Sequence, residues 1–438
     1  MDKYYITGKT AVQIADSLEA AILDGELSQG MRLPSVREAA DHLGVNRNTV
    51  AQAYARLRER GLVHGKGRGG TRVALAATTG QAAAPETPPP GTVDLASGNV
   101  DATLLPSLAA AVTAQNWTQS GYDHPGDDPV LMAVLRERFT AEGIPARSLM
   151  LCHSALDAVE RALRGHTRSG AEVIVEDPAW PPLISLLRSL GLRPVPTPVY
   201  PDGVDPAALA GHLNRHTAAV VLTPRAQNPT GANLDNAHLA RIQELLSERR
   251  DILLVLDDHW GVLSSAPPPA IADSDAPWLL VRSLSKPLGP DLRVAAVTGD
   301  ARTVTRMHRQ FRLGPRWVSR VIQQLVLALL RDGATEDCVA RARQAYRERR
   351  QRLVEALRAR GISVADGSGI NLWIPVADEG SVVQGMAARG YSIQAGQPFR
   401  LKSPDAVRVS IGNIHIDAVD AVAGALAQCV ARGVSPAV

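Results

Sequence analysis

Asn228, Asp257 and Lys286 are each separated by 29 residues, and each follows a short apolar run. Asn228-Pro229-Thr230-Gly231 comes after Ala219 to Thr223, Asp257-Asp258 after Ile252 to Leu256, and Ser283-x-Ser285-Lys286 after Leu279 to Val281. Arg293 lies seven residues past Lys286. This spacing is about one strand-helix-strand unit, which predicts that the whole set lies at the carboxyl ends of neighbouring strands, where open α/β sheets bind ligands. The residue types suit one cofactor. A lysine amine can bond an aldehyde, a carboxylate can pair with a protonated pyridine nitrogen, and hydroxyls with an arginine can hold a dianionic phosphate, which together describe a site for pyridoxal phosphate. Taken singly, Lys286 reads as a solvated surface lysine, Asp257 as a helix cap and Asn228 as a turn residue. Their shared order and spacing favour the site.

The elements that must position this set are visible as apolar runs. Val173 to Val175, Ala219 to Leu222, Leu253 to Leu256 and Leu279 to Val281 alternate with amphipathic segments, which predicts an α/β fold with a mostly parallel sheet. Ahead of them, residues 76–92 read AATTGQAAAPETPPPGT, with a proline triplet and no apolar periodicity. Such a stretch buries no core and is expected to act as a linker. The expected division is a module at 1–75, the linker at 76–92 and a large body at 93–438.

Within the first module, Ile14, Leu18 and Ile22 recur at helical spacing before Asp24-Gly25, so residues 10 to 23 read as one amphipathic helix. A second helix starts after Ser35, a good N-cap, and ends at Gly44; a third runs from near Asn46 to Gly61. Two short helices joined by Gly44-Val45 have helix-turn-helix spacing, and the second would present Asn46, Arg47, Asn48 and Thr49 to a DNA major groove. The next stretch, LVHGKGRGGTRVA, reads as a β-hairpin wing whose Lys66, Arg68 and Arg72 could meet phosphates. Residues 1–75 hold 11 Lys+Arg against 8 Asp+Glu while the remainder is neutral, so the whole net charge of +3 lies here. That placement suits a polyanionic partner.

The run Ile14 to Gly61, with G-x-L-x-x-G-x-R-L-P-S from Gly25 to Ser35 and L-G-V-N-R-N-T-V from Leu43 to Val50, resembles the GntR-type winged helix-turn-helix. The resemblance implies that Arg37, Arg47 and Thr49 contact double-stranded operator DNA, supported by Lys66 and Arg68 of the wing. Ala51 stands where many relatives place another basic residue.

The segment Asp94 to Ala427 resembles fold-type I aminotransferases, whose mostly parallel large sheet is accompanied by a smaller C-terminal α/β subdomain. The resemblance implies Lys286 as the cofactor-bonding lysine, Asp257 as the partner of the pyridine nitrogen, and Asn228 as the partner of the ring 3-hydroxyl. It implies Ser283, Ser285 and Arg293 as phosphate ligands, with Ser154-Ala155 at the phosphate loop. Trp180, in Asp177-Pro178-Ala179-Trp180, matches the aromatic that stacks on the ring, and Tyr122, in G-Y-x-x-P-G, matches a tyrosine that reaches the neighbouring subunit's phosphate. Arg408, in V-R-V-S, matches the arginine that clamps a substrate or effector carboxylate. His259 departs from the pattern, standing where the family has a tyrosine near the 3-hydroxyl. Cys152-His153-Ser154-Ala155-Leu156 likewise replaces a glycine-containing polar loop.

A GntR-type reader joined by a Pro-rich linker to an aminotransferase-like body is similar to the MocR-type regulators. Asp257-Asp258-His259-Trp260 and Gly369-Ile370-Asn371-Leu372-Trp373 are similar to its PtsJ-like group, associated with vitamin B6 metabolism. The resemblance implies a head-to-tail, domain-swapped homodimer. Two functions remain open: a transcription factor sensing pyridoxal phosphate or its reaction with an amino acid or amine, and a working aminotransferase with an appended DNA-binding module.

Three cysteines, Cys152, Cys338 and Cys429, are too few and too far apart for a disulfide framework or a zinc motif, and their odd count fits a reducing cytoplasm. His259 has no partner cluster, so no metal site is expected. No signal peptide opens the chain and no apolar run approaches the roughly 18 residues of a membrane span.

Overall fold

The structure, a computed structural model, describes residues 6–28, 30–59, 62–65, 70–73, 91–113, 121–122, 126–272 and 276–433. Lys66 and Arg68, and 76–90 of the expected linker, lie outside the described residues. The N-terminal helices and most of the sheet structure fall in two compact units.

The N-terminal unit holds three helices, α1 (Ala11–Leu23), α2 (Val36–Leu43) and α3 (Arg47–Glu59), and two short strands, β1 (Val63–His64) and β2 (Arg72–Val73). Local chemistry sets their limits. Thr10 and Ser35 each form a reciprocal capping box, with Gln13 and Glu38 respectively. Gly44 ends α2 in the left-handed region at φ 62°, a conformation open to glycine at little cost. Asn46 Oδ1 then accepts from the Asn48 amide at 2.8 Å and starts α3. Ile14, Leu18, Val50, Ala53 and Leu57 are fully buried between the helices, each large aliphatic contributing about 1.5–3 kcal/mol through burial. β1 and β2 pair antiparallel, Val63 opposite Val73, as expected for a wing.

The body carries the remaining described strands: β3 (Val93–Leu95), β4 (Ser148–Cys152), β5 (Glu172–Asp177), β6 (Arg193–Tyr200), β7 (Gly203–Val204), β8 (Thr217–Leu222), β9 (Leu253–Asp257), β10 (Trp278–Ser283), β11 (Ala295–Gly299), β12 (Asn371–Pro375), β13 (Tyr391–Ala395) and β14 (Ala406–Ser410). Eight form one mixed, mostly parallel sheet in the order β4-β11-β10-β9-β8-β5-β6-β7. The four runs expected as strands are β5, β8, β9 and β10, and they are contiguous in it. β9 pairs parallel with both β8 and β10. Residues 253–256 of β9 and all of β10 are buried, which is why these strands read as unbroken apolar runs rather than alternating ones. One expectation needs correction. Arg293 precedes β11, which runs antiparallel to β10, so it reaches the same sheet edge from a strand's amino end.

A second sheet has the order β12-β14-β13-β3. The segment after residue 90 returns to pair β3 in parallel with β13, Val93 opposite Tyr391. The helices Gly333–Arg358 and Val419–Gly433 join this sheet in one apolar core that includes Leu353, Leu357, Leu372, Val409, Val422 and Leu426. This is the smaller C-terminal subdomain.

Candidate cofactor and DNA sites

The carboxyl edge of the large sheet gathers the expected set. Asp257 is the last residue of β9, Ser283 the last of β10, and Lys286 lies in the single helical turn Ser285–Leu288 that follows. Register brings Arg293 and the segment after Cys152 to this edge: Ala295, two residues after Arg293, pairs with both Ser283 and Cys152. Burial and the charges of Arg408 and Arg293 push the Lys286 amine below its ordinary value, with Asp257 opposing. Arg293 itself adopts the left-handed region at φ 43°, which costs a side-chain-bearing residue on the order of 1 kcal/mol. Such strain persists where the surroundings dictate the turn.

Asp257 and Asp258 are adjacent in sequence and opposite in environment. Against the upward push of burial, Arg282 and Arg225 hold the Asp258 carboxyl below the carboxylate range. Arg225 Nε and Arg282 Nε donate to it at 2.9 and 2.8 Å, and Arg282 also binds Glu142 at 2.7 and 3.0 Å. Asp257 has no such guanidinium among the described residues. Burial and the neighbouring Asp258 charge push it up to about 7, Lys286 offsetting part of this. Its Oδ1 is buried with no hydrogen-bond partner among the described residues. An orphaned buried carboxylate oxygen is costly until a cationic donor meets it.

Arg408, on β14, is buried beside the same edge. It donates to the Ala96 carbonyl and to Asn228 Oδ1, the latter at 3.4 Å, and lies over the Phe399 ring at 4.9 Å. Burial lowers its guanidinium to about 10, with Asp94 opposing, and its Nε has no partner among the described residues. An anionic carboxylate would satisfy it. His259 is held neutral: burial and the Lys286 charge lower it to about 4.

The segment expected as a phosphate loop is partly self-satisfied. Ser154 caps the helix Ala155–His166, its Oγ accepting from the Asp157 amide at 3.0 Å, while the His153 amide donates to Asp157 Oδ2 at 3.1 Å. The Ser154 hydroxyl proton and the helix start at Ala155 remain suited to an anion. Trp180 is half-buried, its backbone fixed by the Ala179 amide, which donates to Phe399 O at 2.8 Å. Tyr122 is 82% exposed, and its ring contact is Trp317, edge-on at 6.2 Å.

Two polar residues absent from the sequence-based set support the Asn228 turn. Glu176, on β5, accepts from Thr223 N at 3.0 Å, Thr223 Oγ1 at 2.9 Å and Gln227 Nε2 at 3.4 Å. Gln227 Nε2 also donates to Pro178 O at 2.7 Å, and its Oε1 accepts from Thr230 N at 3.0 Å and Thr230 Oγ1 at 2.6 Å. Burial pushes Glu176 up to about 7. The charged ending of the apolar run, Glu176-Asp177, was the available sequence signal.

In the N-terminal unit, Arg47 and Asn48 are exposed on the first turn of α3, and Thr49 beside them is half-buried. Arg37, on α2, is exposed, 3.9 Å from Asp41. Arg72, on β2, is exposed. Its Nη1 donates to the Gly30 carbonyl at 2.8 Å, so this guanidinium ties the wing to its own unit.

The family model for bacterial regulatory proteins of the gntR family matches residues 10–73, and that for aminotransferase class I and II matches residues 93–426. The chain is 35% identical, over 98% of its length and 100% of the relative, to the vitamin B6 salvage pathway transcriptional repressor PtsJ of Salmonella typhimurium. It is 25% identical to the probable rhizopine catabolism regulatory protein MocR of Rhizobium meliloti, covering 79% of this chain and 76% of that one. The crystal structure of Pyrococcus horikoshii kynurenine aminotransferase shares the fold at TM-score 0.72 and 19% identity, over 79% of this chain and 92% of that one. The chain therefore belongs to the MocR-type gntR regulators, with an aminotransferase class I and II body over most of its length.

Proposed function

We infer that the chain is a DNA-binding transcriptional regulator whose body binds pyridoxal phosphate, with residues 1–75 as the reader, 76–92 as the linker and 93–438 as the cofactor body. The observation that carries the cofactor assignment is Asp257, whose buried Oδ1 lacks a partner among the described residues on the sheet edge that also bears Lys286. When bound, pyridoxal phosphate supplies an aldehyde for a lysine amine and an electron-accepting ring. Asp257 would keep the pyridine nitrogen protonated, and Asn228 with His259 would face the ring oxygen. Trp180 would cover the ring, while Ser283, Ser285, Arg293, Ser154 and Ala155 would hold the phosphate. Burial of its amine and the charges of Arg408 and Arg293 lower the proton affinity of Lys286, which favours the bond formation asked of it.

Arg408 would clamp the carboxylate of an amino-acid effector. Such an effector shifts DNA binding only if it binds two arrangements of the protein with different affinity. Arg37, Arg47, Asn48 and Thr49 would meet the operator, with Lys66 and Arg68 supporting. The relative's name supports control of vitamin B6 or amine metabolism genes. A head-to-tail, domain-swapped homodimer in the cytoplasm is the proposed working form, with the exposed Tyr122 serving the partner's site.

The test joins two measurements. Lys286→Ala should abolish the visible absorbance of lysine-bound cofactor and the cofactor's effect on an operator-shift assay; retention of both sinks the assignment. The retained Lys286 and Arg408 favour a second reading, an aminotransferase. Sustained keto-acid production at about 1 per second or more, without sequence-preferring DNA binding, would establish that instead.

A further inference from the structure

The helix Gly333–Arg358 places Arg343, Arg347, Arg350 and Arg358 on one face, at spacings of three, four and eight residues. With Leu263, Val354 and the loop Gly367-Ser368-Gly369, that face lines a cleft of about 570 Å³, none of whose walls belongs to the Lys286 set. A volume of that size is typical of small-molecule sites.

Arg358 is paired with Asp366 at 3.0 Å. The other three have no carboxylate partner among the described residues. Arg343 donates to Val262 O at 2.7 Å and Arg350 to the carbonyls of Asn371 and Thr230, while Arg347 is exposed and makes no hydrogen bond or ion pair among the described residues. Arg350 is 4% exposed, and burial lowers its guanidinium to about 10 with only Asp366 opposing. Neighbouring like charges on a helix face repel, and a buried guanidinium without an anion is costly. A bound anion relieves both, and the guanidinium fork suits carboxylate and phosphate oxygens bidentately.

We propose that this cleft is a second ligand site, for a small organic dianion held by Arg343, Arg347 and Arg350, with Leu263 and Val354 against its apolar part. Occupancy has a short route to the cofactor site. Arg350 abuts Gly231, where an added Cβ would sit 2.6 Å from the guanidinium, and the Ser368 amide donates to Gly231 O at 2.8 Å. Gly231 closes the turn that begins at Asn228. This communication rests on the reading of the Asn228 turn as a cofactor ligand; the site itself does not.

Titration calorimetry on the full-length chain freed of cofactor tests the site, with glycerol 3-phosphate and succinate as separate organic probes and inorganic phosphate as the comparison. The expected result is that one organic probe binds more tightly than inorganic phosphate, identifying a phosphomonoester or a dicarboxylate ligand. Arg347→Ala, which removes no hydrogen bond or ion pair among the described residues, should weaken it by about tenfold, as loss of a charge-assisted hydrogen bond does. Failure of both organic probes to bind, or equal affinity in Arg347→Ala, overturns the site. Repeating the titration with cofactor bound should change the probe's affinity, and the probe should change the cofactor's affinity by the same factor. Unchanged affinities overturn the communication. Probe binding in a chain that takes no cofactor supports the site and overturns the cofactor reading, so the two failures are separable.

Discussion

At the scale of single residues, the contrast between Asp257 and Asp258 decides most. Asp258 and the Oδ1 atom of Asp257 are buried, yet among the described residues only Asp258 of the two has guanidinium partners. A folded-state value near 7, against 3.8 for an ordinary aspartate, means that the folded chain keeps a proton the unfolded chain releases. That contribution is fully present below the unfolded value and is lost as pH rises through about 7; Glu176, also raised to about 7, acts in the same direction. His259, lowered from 6.5 to about 4, acts oppositely, but only below about pH 6.5. Between pH 6.5 and 8 the two carboxylates therefore set the sign for this group of residues. Cofactor-free Asp257→Asn should gain stability relative to the parent as pH rises across that window, as read by urea unfolding at each pH. The same variant should bind pyridoxal phosphate about 10–100-fold more weakly, the loss of a buried charged hydrogen bond, measured by absorbance titration.

A second residue-scale prediction concerns the support of Asn228. Gln227→Ala removes bonds to Glu176, Pro178 and Thr230 together. It should destabilise the body by about 2–3 kcal/mol, through buried groups left unpaired, and weaken the cofactor while leaving the Lys286 chemistry intact. Asn228, Asp257 and Lys286 were legible because their spacing follows from strand-helix-strand geometry. Gln227, Glu176 and the Arg225–Asp258–Arg282–Glu142 network were not. Each depends on which side chains from distant segments meet at a sheet edge, and residue type alone does not encode that. The Arg72 bond to the Gly30 carbonyl was not legible for the same reason, since it is set by how the wing packs.

At the scale of elements, the helices of the reader were readable because their ends carry local chemistry. Ser35 and Gly44 bracket α2 as a capping box and a left-handed stop, signals confined to a few residues. Ser35→Ala should cost about 1 kcal/mol of reader stability. Gly44→Ala should cost on the order of 1 kcal/mol as well, because a Cβ disfavours φ 62°. Both should weaken operator binding more than cofactor binding, a comparison available from gel shift and absorbance on the same protein. The central strands were equally readable, being buried on both faces. β11 and β4 were not identified, because antiparallel insertion into a largely parallel sheet leaves no periodic trace. Nor was the pairing of β3 with β13, which joins Val93 to Tyr391 across almost the whole body.

At the scale of the whole molecule, the chain combines two units with different ligands, and its tryptophans allow them to be followed separately. Trp117, Trp180, Trp260, Trp278, Trp317 and Trp373 all lie beyond residue 75, so tryptophan fluorescence reports the body and is blind to the reader. A ligand that binds only the folded body stabilises it by RT ln(1 + [L]/Kd), about 2.7 kcal/mol at a hundredfold excess over Kd. For a body of this size that corresponds to a rise of about 4 °C in its midpoint. Pyridoxal phosphate should therefore raise the fluorescence-detected transition by about that amount, while circular dichroism should retain an unshifted component from α1 to α3. Lys286→Ala should cancel most of the fluorescence shift. A cofactor that moved the helical component and the fluorescence together would mean that the two units unfold as one, and their thermodynamic independence would then fail.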